Sequence, residues 1–295
     1  MPTGSQPAVP RAPESPRDNM GRAMAWMVLS GLSFALMGAM VKYSGDVGLH
    51  AKVFFRNLVT LGITSAMAIR LGENPLSRSP FWGRMLLRSF SGLAGVFLYF
   101  LAIGHLNLAD ASLLNKTSPF FVTLFAVIFL GETLNRGLVT ALVIAFLGAL
   151  LIIKPSFDVS ALPALAGFGS GMFAGLAYTL VRAMKDQVSP NRIIFTFSLV
   201  STLATGPLLL LNPVHPTGGQ WLALVGTGVF AAGGQYGLTF AYHHARASRI
   251  SIFTYLHVLF ALIVGFALWN ERPDLASVVG GVLIVVAAVI SRRNQ

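Results

Sequence analysis

Residues 109–136, ADASLLNKTSPFFVTLFAVIFLGETLNR, determine how the rest of the chain is interpreted. The run 120–130 is apolar enough to lie in lipid, whereas residues 115–119, NKTSP, are polar and end in proline. A lysine within a membrane costs several kcal/mol unless it faces protein or water, and a proline removes a helix hydrogen bond that neighbouring groups must replace. We therefore expect a membrane-spanning helix of unusual polarity, with Lys116 directed toward protein or water.

The same layout recurs 139 residues later in the chain. Without a gap, this offset pairs His105 with His244, Ser112 with Ser251 and Glu132 with Glu271. Upstream, Gly31 and Lys42 match Gly171 and Arg182 at an offset of 140. Each half contains five predicted spans, and an odd number makes the second half enter the membrane from the opposite side. Inverted repeats are typical of secondary transporters, whose binding site lies at the midplane between the halves.

Composition supports a membrane protein. The 295 residues are 55% hydrophobic and 11% charged, with mean hydropathy +0.71, whereas soluble domains carry about a quarter charged residues. The net charge of +11 resides largely in predicted loops, which argues for membrane orientation and against nucleic-acid binding. The absence of cysteine excludes disulfides, thiolate metal sites and cysteine nucleophiles.

Ten apolar runs predict an all-α polytopic membrane protein with short loops. The predicted spans are 22–43, 50–70, 82–104, 109–130, 136–153, 162–183, 190–211, 219–243, 248–269 and 275–291. We expect a disordered, proline-rich tail at 1–21, a first five-helix repeat at 22–157 and a second, inverted repeat at 158–292, with a central cavity between the repeats.

The distribution of basic residues predicts the orientation. With a cytoplasmic N-terminus, 15 of the 21 Lys and Arg residues fall on the cytoplasmic side, Arg88 among them. Five fall outside, including Arg56, and Lys116 lies within a span. The excess predicts that both termini are cytoplasmic.

Several segments resemble the drug/metabolite transporter superfamily in its ten-span EamA branch. They are a Gly-Leu-Ser-Phe segment and Lys42 in span one, Phe55-Arg56 in span two, Pro119 in span four, the Leu130-Gly131-Glu132 ending, and Ile153-Lys154 after span five. The second half repeats the Glu ending but has Val258 where the first has Pro119. The resemblance covers about residues 22–292 and is greatest to bacterial exporters of amino acids, aromatic ones included. It implies a multi-pass protein of the bacterial inner membrane that works by alternating access without ATP.

Lys116 is the first candidate for substrate binding, because intramembrane charges usually face a cavity or a partner. Its alternative is to extend toward the lipid headgroups or bind helix carbonyls. Asn115 flanks it. The equivalent segment of span nine offers Tyr255 and His257, although a lone histidine in a span is more often a hydrogen-bonded packing residue.

The other candidates are polar groups within spans. Tyr99, Tyr178 and Gln235 would give an aromatic wall with a few polar groups, as an amino-acid-sized ligand requires; the alternative for each tyrosine is interhelical packing. We interpret Arg56 and Pro119 as gating or structural residues, with Arg56 pairing with Asp46 or Asp110. Glu132 and Glu271 are interpreted as structural anchors that cap the N-terminus of the next helix.

The function predicted from the sequence is export of aromatic or neutral amino acids, or of related small metabolites. The alternatives are a sugar-phosphate or nucleotide-sugar carrier, ranked second because only Lys116 stands clearly mid-membrane, and a multidrug or cation exporter. Enzyme motifs are absent from the sequence, and we expect no cofactor or metal, a monomer, and lipid as the only other partner. The lack of mid-span Asp or Glu favours facilitated export, with His257 as the remaining candidate proton carrier.

Overall fold

The computed structural model describes residues 20–130, 136–153, 161–184, 187–244 and 251–293, and these residues form helices without any strand. The α-helices are α1 (Met20–Tyr43), α2 (Leu49–Leu71), α3 (Trp82–His105), α4 (Leu108–Asn115), α5 (Ser118–Leu130), α6 (Arg136–Ile153), α7 (Leu162–Ala183), α8 (Pro190–Leu211), α9 (Gly218–His244), α10 (Leu256–Trp269) and α11 (Leu275–Arg293). A 3-10 helix, Ser251–Tyr255, precedes α10.

The helices follow the ten predicted spans in order, so the predicted all-α polytopic fold class is confirmed. Five of the described helical stretches are each long and apolar enough to cross a membrane on their own: Gly21–Tyr43, Leu49–Leu71, Trp82–His105, Leu162–Val181 and Pro190–Leu211. The predicted tail, over its residues 1–19, and Glu132 lie outside the described residues.

The helix contacts between the two halves come in symmetric pairs. Helix α1 packs on α9 as α3 packs on α7, and α2 packs on α9 as α3 packs on α8. Likewise α1 packs on α10 as α7 packs on α4 and α5. Two further contacts join equivalent helices of the two halves, α2 with α8 and α6 with α11. Exchanging the halves therefore leaves this network unchanged, as a two-fold relation between five-helix repeats requires.

The fourth span is two helices rather than one. Helix α4 ends at Asn115, Lys116 and Thr117 form a turn, and α5 begins at Ser118. The Thr117 hydroxyl donates to the carbonyl of Leu114 at 2.7 Å, which satisfies one of the carbonyls that the interrupted helix leaves free. The prediction of a single helix over 109–130 is thus wrong, because Thr117 N and Phe120 N donate to carbonyls three residues back, and not four as an α-helix requires.

The ninth span changes geometry at the equivalent residue. Its 3-10 helix ends at Tyr255, where α10 begins, and Tyr255 lies 139 residues after Lys116. Irregular backbone at membrane depth is tolerated where it is buried in protein or lines a cavity. The two interruptions therefore mark the interior of the molecule, between the halves.

Two glycines allow neighbouring helices to approach these interruptions. A Cβ at Gly171 of α7 would lie 2.3 Å from Thr117 Oγ1 and 2.8 Å from the Leu114 carbonyl oxygen. A Cβ at Gly31 of α1 would lie 3.1 Å from the backbone nitrogen of His257. The repeat pairs these two glycines, so each half packs a bare helix surface against the interrupted span of the other half.

Candidate functional site

A central cavity of about 100 Å³ lies between the halves, and helices of both repeats line it. Its lining residues are Phe34, Met37, Arg56, Arg88, Gly92, Gly95, Val96, Tyr99, Asn115, Lys116, Ala174, Ala177, Tyr178, Phe197, Gln235 and His257. No Asp or Glu occurs in this set. The cavity therefore combines positive charge with apolar and aromatic walls and a few polar groups, the composition of small-molecule sites.

Lys116 lies at the α4–α5 interruption and lines the cavity. Its Nζ lies 5.9 Å from the ring centroid of Phe34, and the described residues give it no hydrogen-bond or ion-pair partner. The Phe34 ring in turn meets the His257 ring edge-on, with centroids 6.0 Å apart. An ammonium held against an aromatic face without a counter-ion is suited to bind an anionic group.

Asn115 is held beside Lys116 by a partner on α7. Its Nδ2 donates to Ser170 Oγ at 3.0 Å, and Ser170 Oγ donates to the carbonyl of Gly167 at 2.6 Å. This bond fixes the orientation of the amide, and the described residues give its side-chain oxygen no donor, so that oxygen can accept a hydrogen bond from a ligand.

Tyr99 and His257 meet in the cavity wall. The Tyr99 hydroxyl lies 3.1 Å from Ser112 Oγ and 3.5 Å from His257 Nε2. Both Tyr99 and His257 are buried, and this cluster joins α3, α4 and α10. The contacts give Tyr99 a packing role as well as a place in the cavity.

Tyr255 is the one predicted binding residue that is not part of the cavity lining. Its hydroxyl donates instead to the carbonyl of Lys116, at 3.5 Å, and so connects the interruptions of the two repeats. The remaining predicted binding residues, Tyr178 of α7 and Gln235 of α9, both line the cavity.

Arg56 and Arg88 were misplaced by the sequence analysis. Their side chains are 3% and 5% exposed and line the cavity, so neither is a charge flanking a span. Arg56 donates to Asn57 Oδ1 at 2.7 Å rather than pairing with Asp46 or Asp110. Without these two arginines the count of basic residues becomes 14 against 4, with the same predicted orientation.

A signal for Arg88 was present in the sequence. Arg88, Gly92, Gly95 and Tyr99 follow one another at intervals of four, three and four residues, which places them on one face of α3. An arginine in line with small residues and a tyrosine within a span indicates an interior position more than a membrane boundary.

Glu271 connects the two halves at one end of the molecule. Asn270, with a φ of 53°, ends α10 in a left-handed turn, so that Glu271 N donates to the Gly265 carbonyl. Glu271 forms an ion pair with Lys42 of α1, and its Oε2 accepts a hydrogen bond from the backbone N–H of Leu108 at 2.8 Å. The carboxylate thus caps the N-terminus of α4 in the other repeat, and not that of the next helix, α11, as the sequence predicted.

Pro119 is the second residue of α5, two residues beyond the turn at Lys116 and Thr117. A proline in the first turn of a helix removes an N–H that would have no helical partner there. Pro119 therefore begins a helix rather than bending one. Among the described residues, no group of three or more His, Asp or Glu side chains is placed to hold a metal ion.

The fold and the cavity define a polytopic helical membrane protein with a small-molecule site between two repeats. A model of the EamA-like transporter family matches residues 21–154 and 161–293. The chain belongs to the EamA-like transporter family. It is accordingly a transporter of small molecules and not an enzyme.

The chain is similar over nearly its whole length to curated relatives. It is 37% identical to the pseudopaline exporter CntI of Pseudomonas aeruginosa over 272 aligned residues. The aligned region covers 91% of this chain and 95% of the relative. It is 25% identical over 267 aligned residues to a riboflavin transporter of Vibrio cholerae, and the aligned region covers 89% of this chain and 90% of that relative. A solved structure with a TM-score of 0.67 and 18% identity, covering 93% of this chain and 99% of that one, shows the same fold.

Proposed function

We propose that this protein exports small carboxylate metabolites, amino acids or compounds derived from them, by alternating access of the central cavity. The observation that carries the proposal is Lys116, a cation without a partner among the described residues, placed at a helix interruption in the cavity wall. Discontinuous helices at the interface of two repeats are where secondary transporters bind their substrates.

The surroundings of Lys116 suit an amino-acid-like ligand. Lys116 would hold the carboxylate, and the free side-chain oxygen of Asn115 would accept a hydrogen bond from an amino group. The rings of Phe34 and Tyr99 would cover an apolar or aromatic side chain. Export of cations is disfavoured, because the residues that line the cavity include no carboxylate to receive them.

Alternating access requires that a contact between the halves break and re-form. The Lys42–Glu271 ion pair, together with the cap on α4, holds α1, α4 and the end of α10 together at one end of the molecule. With both termini in the cytoplasm of a bacterial cell, this end faces outward. We infer that this contact must open before substrate leaves the cell.

A phosphorylated metabolite is the second candidate substrate. It ranked lower from the sequence because only Lys116 stood clearly mid-membrane, but Arg56 and Arg88 also line the cavity. Arginine forks match the oxygens of phosphate as well as those of carboxylate. The position of these arginines therefore removes the original objection to an anionic substrate.

The test is transport in proteoliposomes that contain the full-length protein. Labelled phenylalanine, glutamate and phosphoserine would be offered with and without a pH gradient. We expect saturable uptake of at least one carboxylate, strongly reduced by Lys116→Ala and retained in the control Lys52→Ala, whose buried ammonium binds the Gly45 carbonyl outside the cavity lining. Equal uptake by the wild type and Lys116→Ala, or no uptake of any of the three, would contradict the proposal.

A further inference from the structure

Two arginines from different helices meet at one aromatic ring in the cavity. The guanidinium carbon of Arg56, on α2, lies 5.1 Å from the ring centroid of Phe197, and that of Arg88, on α3, lies 4.4 Å from it. Phe197 belongs to α8, so three helices converge here. Two positive charges at the same ring repel each other, and burial in a low-dielectric interior increases the repulsion.

The arginine pair has no counter-ion within the described part of the chain. No Asp or Glu lines the cavity. The ion pair of the described residues, Lys42–Glu271, lies outside the cavity lining. Arg56 Nε, Arg88 Nε and Arg88 NH1 are buried without a hydrogen-bond partner. Burying a charge without a partner is costly, and the aromatic ring offsets only part of that cost. Donors of this kind in a cavity are suited to an acceptor that comes from outside the chain.

The arginine pair and Lys116 are separate positions in the same cavity. Arg88 and Tyr99 both line it and are 11 residues apart on α3, which corresponds to about 16 Å along the helix axis. Tyr99 contacts Ser112, one turn before Lys116, whereas Arg88 shares the Phe197 ring with Arg56. A substrate that contacts both positions at once must therefore be extended, because it has to bridge the part of this distance that the arginine and lysine side chains do not span.

Tyr178 completes the arginine site. It lines the cavity beside both arginines, and although it stands in the interior of α7 it remains 39% exposed. Its hydroxyl is a neutral donor that can join two guanidinium groups around the oxygens of an anion.

We propose that Arg56 and Arg88, on the ring of Phe197, form a second anion subsite, so that the exported substrate carries two anionic groups. One group, a carboxylate or a phosphate, binds the arginine pair, while the carboxylate of the proposed function binds Lys116. This inference rests on the proposed function and narrows its substrate to dianionic metabolites. It also explains why three cations occupy a membrane cavity without an acidic residue in its lining.

The experiment compares diacids with their own monoamides, which differ by a single charge. Purified full-length protein in detergent would be titrated with dicarboxylates from succinate to sebacate, with each monoamide, and with phosphoserine against serine. Thermal stabilisation would give the affinity, because a ligand that binds the folded state raises its stability by an amount set by concentration and Kd. The phosphoserine arm distinguishes a phosphate group from a second carboxylate.

We expect at least one dianion to bind about tenfold tighter than its singly charged analogue, as the pairing of a buried charge implies. Arg56→Gln and Arg88→Gln should abolish this preference, by lowering the affinity for the dianion about tenfold more than the affinity for its monoamide. Arg84→Gln is the matched control, since Arg84 lies one turn earlier on α3 and stacks on Phe81 at 5.6 Å outside the cavity lining.

Two outcomes would overturn the inference. In the first, no dianion exceeds its analogue although monoamides bind in a Lys116-dependent manner, which removes the second subsite and leaves the proposed function standing. In the second, Arg88→Gln and Arg56→Gln weaken diacid and monoamide equally, which makes the pair a structural element. Failure of every carboxylate to bind the wild type would overturn both proposals together. Arg88→Lys, which keeps the charge but loses the fork, serves as a second variant if Arg88→Gln does not fold.

Discussion

The interruptions of the fourth and ninth spans occupy equivalent positions in the two repeats and carry different chemistry. In the fourth span a turn separates α4 from α5 at Lys116, and Pro119 follows in the first turn of α5. In the ninth span a 3-10 helix passes directly into α10 at Tyr255, and Val258 stands where the first repeat has its proline. Both repeats thus interrupt the helix at this position, but only the first repeat places a charged side chain there.

This difference shows what each repeat contributes to the cavity. The cations of the cavity lining, Arg56, Arg88 and Lys116, all come from the first repeat, and at the 139-residue offset Thr227 and Tyr255 stand in place of the last two. The second repeat supplies Tyr178, Phe197, Gln235 and His257. A symmetric scaffold therefore encloses an asymmetric site, in which both repeats provide aromatic and neutral polar surface but the first alone provides the lysine and arginines.

Replacing the residues at the two interruptions should give the largest contrast in transport. Lys116→Ala is expected to lower the transport rate in proteoliposomes by about a hundredfold, as loss of a desolvated charge partner commonly costs 2–5 kcal/mol. Tyr255→Phe should change it by less than about threefold, because only a 3.5 Å hydrogen bond to the Lys116 carbonyl is lost. Lys116→Arg should rescue poorly, since the two cations differ in shape. Equal effects of Lys116→Ala and Tyr255→Phe would contradict the asymmetry of the cavity.

The two glycines that face the interruptions should differ in their tolerance of a methyl group. Gly171→Ala places its Cβ 2.3 Å from Thr117 Oγ1, so we expect a loss near 3 kcal/mol, the upper end for overpacking. Gly31→Ala meets its nearest atom at 3.1 Å and should cost about 1 kcal/mol. Thermal unfolding of the purified variants measures both effects. The control is Gly62→Ala on α2, where a Cβ would meet nothing within 4 Å, and an unfolding temperature of Gly171→Ala as high as that of the control would refute the close approach.

Glu271→Gln should have a smaller effect, because the amide keeps an oxygen for the Leu108 N–H. The variant leaves Lys42 without its carboxylate, and we expect a loss of about 1–2 kcal/mol in unfolding free energy. The double variant Lys42→Met/Glu271→Gln should recover part of that loss, since it removes the unpaired charge. Additive effects in this double-mutant cycle would show that the two side chains do not interact.

Pro119→Ala is expected to have the smallest effect. Because Pro119 lies in the first turn of α5, the substitution restores an N–H that no helix carbonyl needs there, and transport should change by less than about twofold. The matched substitution is Val258→Pro, at the third residue of α10. It places a proline at the position of the second repeat that corresponds to Pro119, so that transport by the two variants can be compared. A loss of transport in Pro119→Ala with unchanged expression would support the gating role that the sequence suggested for this proline.

Much of the architecture followed from the sequence because membrane helices are specified by local composition. The apolar runs predicted the spans, and the ungapped polar pattern repeated at 139 residues predicted two five-helix repeats. Lys116, Asn115, Tyr99, Tyr178, Gln235 and His257 were singled out by being polar within a span, and the structure brings all of them to one cavity. The helix interruption at Lys116 escaped prediction, since Pro119 directed attention three residues too far along the chain.

What the sequence determined by itself was the number and order of the spans and which spans of the two halves correspond. It could do so because lipid requires every spanning segment to be apolar and internally hydrogen-bonded. What only the tertiary structure decided was which charges are interior. Arg56 and Arg88 stand near predicted span ends, and only the packing of α2, α3 and α8 shows that both turn inward onto Phe197. The same holds for Glu271, which reaches Leu108 from 163 residues away. The direction of a side chain on a membrane helix depends on neighbours distant in sequence, and the local pattern of residues does not contain that information.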